Sequence, residues 1–142
     1  GIEIFGIEAS DNARPALCID EERFAAYDMR KPIDLKTRFR VATCWNVIPH
    51  IEEEFAVQAI RNMLAAADYI AFNAYEKPTS SYWDSNCQPK AYWETLLFRE
   101  GCYIESAMVL EMRTILKPYE RRTEIARIRD NLFIAKKLRV PV

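Results

Sequence analysis

Four polar positions in this chain have the types and spacing to do chemistry: Glu8, Asp28, Asn46 and His50. Each stands where an apolar, strand-like run gives out. Glu8 follows the run 2–7 (IEIFGI), Asp28 follows 23–27 (RFAAY), and Asn46 and His50 follow 39–45 (FRVATCW). In open α/β sheets ligands lie in the crevice at the carboxyl ends of the strands, so residues at such ends border a site if there is one. An acid at one strand end is placed to accept hydrogen bonds from ribose hydroxyls, and an acid one strand further on from an adenine amino group. His50 is the only histidine, and histidine is the residue type best suited to general base work near neutrality. Each feature also has a plain structural reading: a carboxylate after a strand often caps a turn, and a histidine near a helix start can simply pack. The ordered set says more than any member.

These residues need elements to hold them. The stretch 38–60, RFRVATCWNVIPHIEEEFAVQAI, reads as a strand, a short break and a helix that opens on Glu52, Glu53 and Glu54. Acids favour the positive end of a helix, so the three glutamates support that start. From 52 to 67, Phe55, Ala56, Ala59, Ile60, Met63, Leu64 and Ala67 recur at three- and four-residue steps, the mark of an amphipathic helix. Upstream, Ala9, Ser10, Asp11 and Asn12 offer N-cap chemistry for a short helix with Pro15 in its first turn. Downstream come a strand at 69–75, a polar loop at 76–88 and a helix at 89–100 closed by Gly101. A strand at 102–105, a helix at 106–116 stopped by Pro118, a strand at 131–136 and a basic tail with Lys136, Lys137 and Arg139 complete the chain. Strands alternating with helices predict an α/β fold. The expected sheet is mostly parallel and flanked by helices, with an antiparallel C-terminal strand at its edge.

Composition narrows the class. The chain has 142 residues, half of them hydrophobic, enough for one domain with a real core. A formal charge of −1 argues against nucleic acid as a partner. No run reaches membrane-span length and no signal-peptide pattern opens the chain; the cysteine usage below is what a cytoplasmic protein would show. Cys18, Cys44, Cys87 and Cys102 are scattered without a C-x-x-C pair. With one histidine, that argues against structural zinc and for reduced thiols. Only three glycines are present, and neither GxGxxG nor a Walker loop occurs.

Taken in order, IFGIEAS (4–10), FAAYDMRKPI (24–33), RFRVATCWNVIPHIEEEF (38–55), DYIAFNAY (68–75), SNCQPKAYWETLLFREGCYIE (85–105) and RDNLFIAKKL (129–138) resemble a class I S-adenosylmethionine-dependent methyltransferase entered at its second strand. The resemblance implies a Rossmann-like sheet and S-adenosyl-L-methionine as cofactor. It implies that Glu8 binds the ribose and that Asp28 reaches the adenine with Met29 packed on the ring. Cys44, Trp45 and Asn46 would line the methionine end, and His50 would face methyl transfer as the catalytic residue. Apart from the resemblance, Tyr82, Trp83, Tyr92 and Trp93 cluster around the 76–88 loop and could wall a substrate site, with Tyr82, Trp83 and Asn86 as the expected substrate contacts; Tyr92 and Trp93, on a helix, read equally as core aromatics. The N-x-Q-P-x-x-Y-W segment, Asn86 to Trp93, is similar to one found in family members and suggests a sugar or glycan acceptor methylated at oxygen.

Two departures stand out. Pro49 occupies the position where the family turn carries a glutamate before the histidine. The family's first strand and glycine-rich turn have no counterpart. Residues 1–142 are therefore expected to be one methyltransferase-like domain, incomplete at its N-terminal end. Three explanations are open: a fragment of a longer enzyme, a reduced form that closes its sheet or borrows a strand from a partner copy in a homo-oligomer, or a degenerate member. The functional expectation is an enzyme acting on a small molecule. The alternative is a non-catalytic interaction or scaffold domain.

Overall fold

A computed structural model of the chain describes residues 1–77 and 84–138. In chain order it forms β1 (Gly6–Glu8), β2 (Phe24–Ala26), β3 (Phe39–Cys44), α1 (Glu53–Ala66), β4 (Ala67–Asn73), α2 (Lys90–Arg99), β5 (Cys102–Ile104), α3 (Ser106–Leu116), α4 (Thr123–Asp130) and β6 (Leu132–Lys137). The fold is mixed α/β, with two sheets and flanking helices. β1 and β2 form a parallel pair; β3, β4, β6 and β5 form a four-stranded sheet in that order. Within it β3 and β4 are parallel, and β6 runs antiparallel to both its neighbours.

Three expectations change. The expected single, mostly parallel sheet is two sheets, the larger of them mixed. β6 lies between β4 and β5, not at an edge, and the reason is in its residues: Leu132, Phe133, Ile134 and Ala135 are all buried. A strand apolar on both faces belongs inside a sheet. The run 2–7 is strand only from Gly6 onward. Among the described residues β1 has one ladder partner, β2, and an extended segment without a partner does not register as strand.

The larger sheet carries helices on both faces. Side chains alternate across a strand. Ile70 and Phe72 of β4, with Phe133 and Ala135 of β6, therefore join the core under α1 and α2. Ala71, Leu132 and Ile134 face the other way, toward Val109 and Met112 of α3. Phe72 stacks on Phe133 at 5.1 Å and receives the edge of Trp93 at 5.9 Å. The helix expected at 52–67 forms as α1, burying Ala56, Ala59, Ile60, Met63 and Leu64. Its last carbonyls are capped by Arg38 at the start of β3. That guanidinium donates to Leu64 O, Ala65 O and Ala67 O at 3.3, 3.1 and 2.9 Å. Gly101, at φ +71°, ends α2 as expected. α4 was not anticipated: Ile125 and Ile128 are its only large apolar residues, too few to print a helical stripe.

Candidate functional site

The carboxyl ends of β1, β2 and β3 open on one cleft of about 680 Å³ between the two sheets. That lies within the roughly 300–1,000 Å³ typical of small-molecule sites. Ile4, Ile7, Glu8 and Ala9 form one wall, Val41 to Trp45 the other. Tyr27 to Arg30, Val47, His50 and Glu52 border it as well. Of the residues singled out in the sequence, Glu8, Asp28, Met29, Cys44, Trp45 and His50 line this cleft.

Each is held differently. Glu8 Oε1 accepts the backbone N–H groups of Ala9 and Ser10, at 2.8 and 3.3 Å, which fixes the carboxylate at the strand end. Asp28 forms a forked pair with Arg30, Nε to Oδ1 at 3.0 Å and Nη2 to Oδ2 at 2.9 Å, and also accepts the Arg30 backbone N–H at 2.9 Å. The Arg30 side-chain bonds, then that backbone bond, hold the carboxyl below the usual carboxylate range. Much of its accepting capacity is thereby committed within its own turn. Arg30 also reaches Glu52 at 3.5 Å, tying this turn to the approach of α1.

The loop after β2 is pinned from below by Asn62, which sequence reasoning missed. This buried residue of α1 accepts from the Ile33 N–H at 3.1 Å and from Gln58 Nε2 at 2.9 Å. It donates to Met29 O and Lys31 O, both at 2.9 Å. An asparagine on the buried face of an amphipathic helix was the available signal, because a buried amide needs partners.

At the end of β3 the chain turns sharply. Asn46 takes φ +56°, a left-handed conformation that asparagine tolerates better than most residues. Its N–H donates to Asn73 Oδ1 at 2.7 Å, and Asn73 Nδ2 donates back to Asn46 Oδ1 at 2.8 Å. Asn46 therefore locks the turn and is not among the residues lining the cleft. Cys44 is buried in the core, and burial pushes its thiol up to about 12, so it stays neutral and unreactive. Trp45 borders the cleft and packs against Ala71, Leu132 and Ile134.

His50 follows in a short turn at Ile48–His50. Its Nδ1 lies 3.2 Å from Asp84 Oδ1; the aspartate side chain is fully buried, while that of histidine is 38% exposed. Tyr75 OH donates to the same oxygen at 3.0 Å. Burial, then this bond to the carboxylate, pushes the Tyr75 phenol up to about 12, so it remains a donor. A carboxylate only accepts, so this contact assigns the proton to Nδ1. Sequence reasoning missed Asp84 because it lies in an irregular segment 34 residues from His50, with no spacing to betray the pairing. Asn86, expected to contact substrate, is fully buried, and its side-chain atoms have no hydrogen-bond partner among the described residues. Its backbone N–H donates to Pro49 O at 3.0 Å, tying this segment to the histidine turn. Tyr82 and Trp83 lie outside the described residues.

Among the described residues no group of histidine, cysteine and acidic side chains could hold a metal ion, and no helix is long and apolar enough to cross a membrane. No protein-family model matches the chain, and no curated protein matches it. Among solved structures the chain is similar to "A Pericyclic Reaction enzyme", with a TM-score of 0.53 and 10% identity over 74% of this chain. The match covers 32% of that enzyme, so the chain spans about a third of its length. At that identity the likeness concerns the fold alone.

Proposed function

We propose that the cleft binds S-adenosyl-L-methionine and that the protein methylates an oxygen of a small sugar or glycan acceptor. The observation that carries this reading is convergence. Glu8, Asp28, Met29, Trp45 and His50, which come from three separate strand ends, border one cleft of suitable size. The strand order supports a Rossmann-like reading. Among the described residues β1 and β3 are not paired with each other, and the resemblance puts the family's first strand between them.

The residues fit a cationic adenosyl cofactor on charge. Among the described residues Glu3, Glu8, Asp28 and Glu52 border the cleft against one guanidinium, Arg30. Glu8 is the ribose partner in this reading, and Met29 offers an apolar surface to the adenine. Asp28 fits less well, because Arg30 already occupies both its oxygens. When bound, the cofactor supplies a methyl group already activated on a sulfonium. The chain then has to position an acceptor hydroxyl and remove its proton. His50 serves as the base, through Nε2. Asp84 is a positioning residue: it holds the ring in the tautomer with the proton on Nδ1 and stabilises the imidazolium once the proton arrives. Tyr75 holds Asp84.

Calorimetric titration with S-adenosylhomocysteine tests the cofactor assignment. Micromolar binding that weakens about tenfold (~1.4 kcal/mol) in Glu8→Ala is expected. Equal affinity in that variant would remove Glu8 from the ribose role. No binding to the wild-type chain would favour a non-catalytic interaction domain. With methyl-labelled cofactor and a panel of glycans, His50→Ala and Asp84→Asn should each lower turnover by about a hundredfold or more while leaving cofactor affinity unchanged.

A further inference from the structure

The Asp28–Arg30 pair borders the cleft beside Met29, the residue assigned to the adenine ring. What this end of the cleft can recognise depends on which partner still has hydrogen bonds to give. Asp28 is used up. Its Oδ1 accepts the Arg30 backbone N–H and Nε, at 2.9 and 3.0 Å, and its Oδ2 accepts Nη2 and Nε, at 2.9 and 3.1 Å. Both oxygens are doubly engaged, which leaves a ligand donor no free acceptor there. Arg30 is not used up. Each terminal nitrogen of a guanidinium carries a pair of N–H groups. Nη2 spends one on Asp28 and Nη1 spends one, at 3.5 Å, on Glu52; among the described residues the second N–H of each has no acceptor. The donors are also held in place. Asn62 Nδ2 donates to Met29 O and Lys31 O, both at 2.9 Å, so the backbone is fixed on either side of residue 30. The fork to Asp28 holds one edge of the guanidinium, and the Phe55 ring lies against one face at 5.9 Å. A donor fixed before its ligand arrives loses little freedom on binding.

We propose that Arg30 is the specificity-determining residue at the adenine end of the cleft, donating to an acceptor nitrogen of the purine ring, and that Asp28 is a positioning residue that holds the guanidinium. Arg30's role rests on the cofactor reading above and reverses the part that the family resemblance gives to Asp28. The chemistry suits it. Adenine presents ring nitrogens as acceptors and its exocyclic amine as a donor, and guanidinium groups pair with purine ring nitrogens in nucleic-acid recognition. The amine, being a donor, meets a carboxylate whose oxygens are already taken.

Calorimetric titration of the 142-residue chain with S-adenosylhomocysteine and a set of its analogues tests it. The 1-deaza, 3-deaza and 7-deaza analogues each replace one ring nitrogen by carbon, and the deamino analogue lacks the 6-amino group. One deaza analogue should bind about tenfold or more weakly than the parent, because a charged donor is left without its acceptor. The deamino analogue should bind within about twofold of the parent, because no acceptor is left unpaired by its loss. In Arg30→Met, which keeps an apolar stem, the parent and that deaza analogue should bind equally. An independent readout on the wild-type chain is the Arg30 guanidinium N–H signals, which should shift on saturation with the parent and less with that analogue. Equal binding of the parent and all three deaza analogues overturns the proposal, and so does a deaza loss that persists in Arg30→Met. Unmoved guanidinium signals overturn it too. A deamino analogue that loses as much as the deaza one returns the role to Asp28. Each of these failures leaves parent binding intact. No binding of the parent to the wild-type chain removes the cofactor reading itself, and Arg30's role with it.

Discussion

The two sheets differ in how completely they satisfy themselves. The β3-β4-β6-β5 sheet has helices on both faces, and Phe72, Phe133 and Trp93 sit inside it at 2% exposure or less. The β1–β2 pair consists of two three-residue strands, and the segment leading into it leaves Ile2 and Ile4 largely exposed. The first region is a packed scaffold; the second is a shelf held at the scaffold's open edge. The cleft lies where they meet, and a rigid element is well suited to position less constrained strand ends. Each candidate site residue reflects that division. His50 is braced on the scaffold through Asp84, Tyr75 and the turn beside Asn86, while among the described residues the Glu8 carboxylate is anchored to the amides of Ala9 and Ser10 at its own strand end.

The contrast can be broken most forcefully in the core. Trp93→Ala should cost about 3–5 kcal/mol in urea unfolding, whereas Ile4→Ala on the shelf should stay within about 0.5 kcal/mol. Comparable losses at the two positions would mean that the shelf is as integral as the scaffold. Next comes the joint between them. Asn62→Ala removes two accepted and two donated bonds and should cost on the order of 1–3 kcal/mol. It should also speed exchange of the Ile33 amide. Unchanged Ile33 exchange would show that the loop after β2 is held by something other than α1.

The pH response is smaller. The Asp28 carboxyl is held below its ordinary value by Arg30. An unfolded chain therefore binds its proton first as pH falls, at about 3.9. The pair's contribution is present above that value and is lost progressively as pH drops through it toward the folded value. Because the pair is partly exposed, the effect is modest. Asp28→Asn should flatten the acid limb of the stability curve without touching the neutral plateau, and an acid limb identical to wild type would remove the pair as its source. The last prediction has almost no energetic cost. Iodoacetamide at pH 8 should modify exposed Cys18 well before Cys44, whose buried thiol is pushed up to about 12. Equal rates would mean that the floor of the cleft opens in solution.

Much of the scaffold was legible in the sequence because its signals are periodic. The apolar steps of α1, the run that becomes β4 and the helix at Ser106–Leu116 all lie within a residue or two of where the pattern put them. What escaped was set by long-range partners. Nothing local in LFIAKK says that it inserts between β4 and β5. Nothing in residues 2–5 says that they lack a ladder partner. Strand ends were readable as places for a ligand, so Glu8, Asp28 and His50 could be selected. That Asp28 is engaged by Arg30, that Asn46 spends its amide on Asn73, and that Asp84 backs His50 are matters of tertiary contact.

The central claim is that three strand ends form one adenosyl-binding cleft. The most direct measurement is a two-dimensional amide NMR spectrum of the isotopically labelled chain, titrated with S-adenosylhomocysteine. The account predicts saturable shifts at Glu8, Ala9, Met29 and Arg30, with Val109 and Met112 on the opposite face of the larger sheet unmoved. Shifts confined to that opposite face, or no shifts at millimolar ligand, would contradict it.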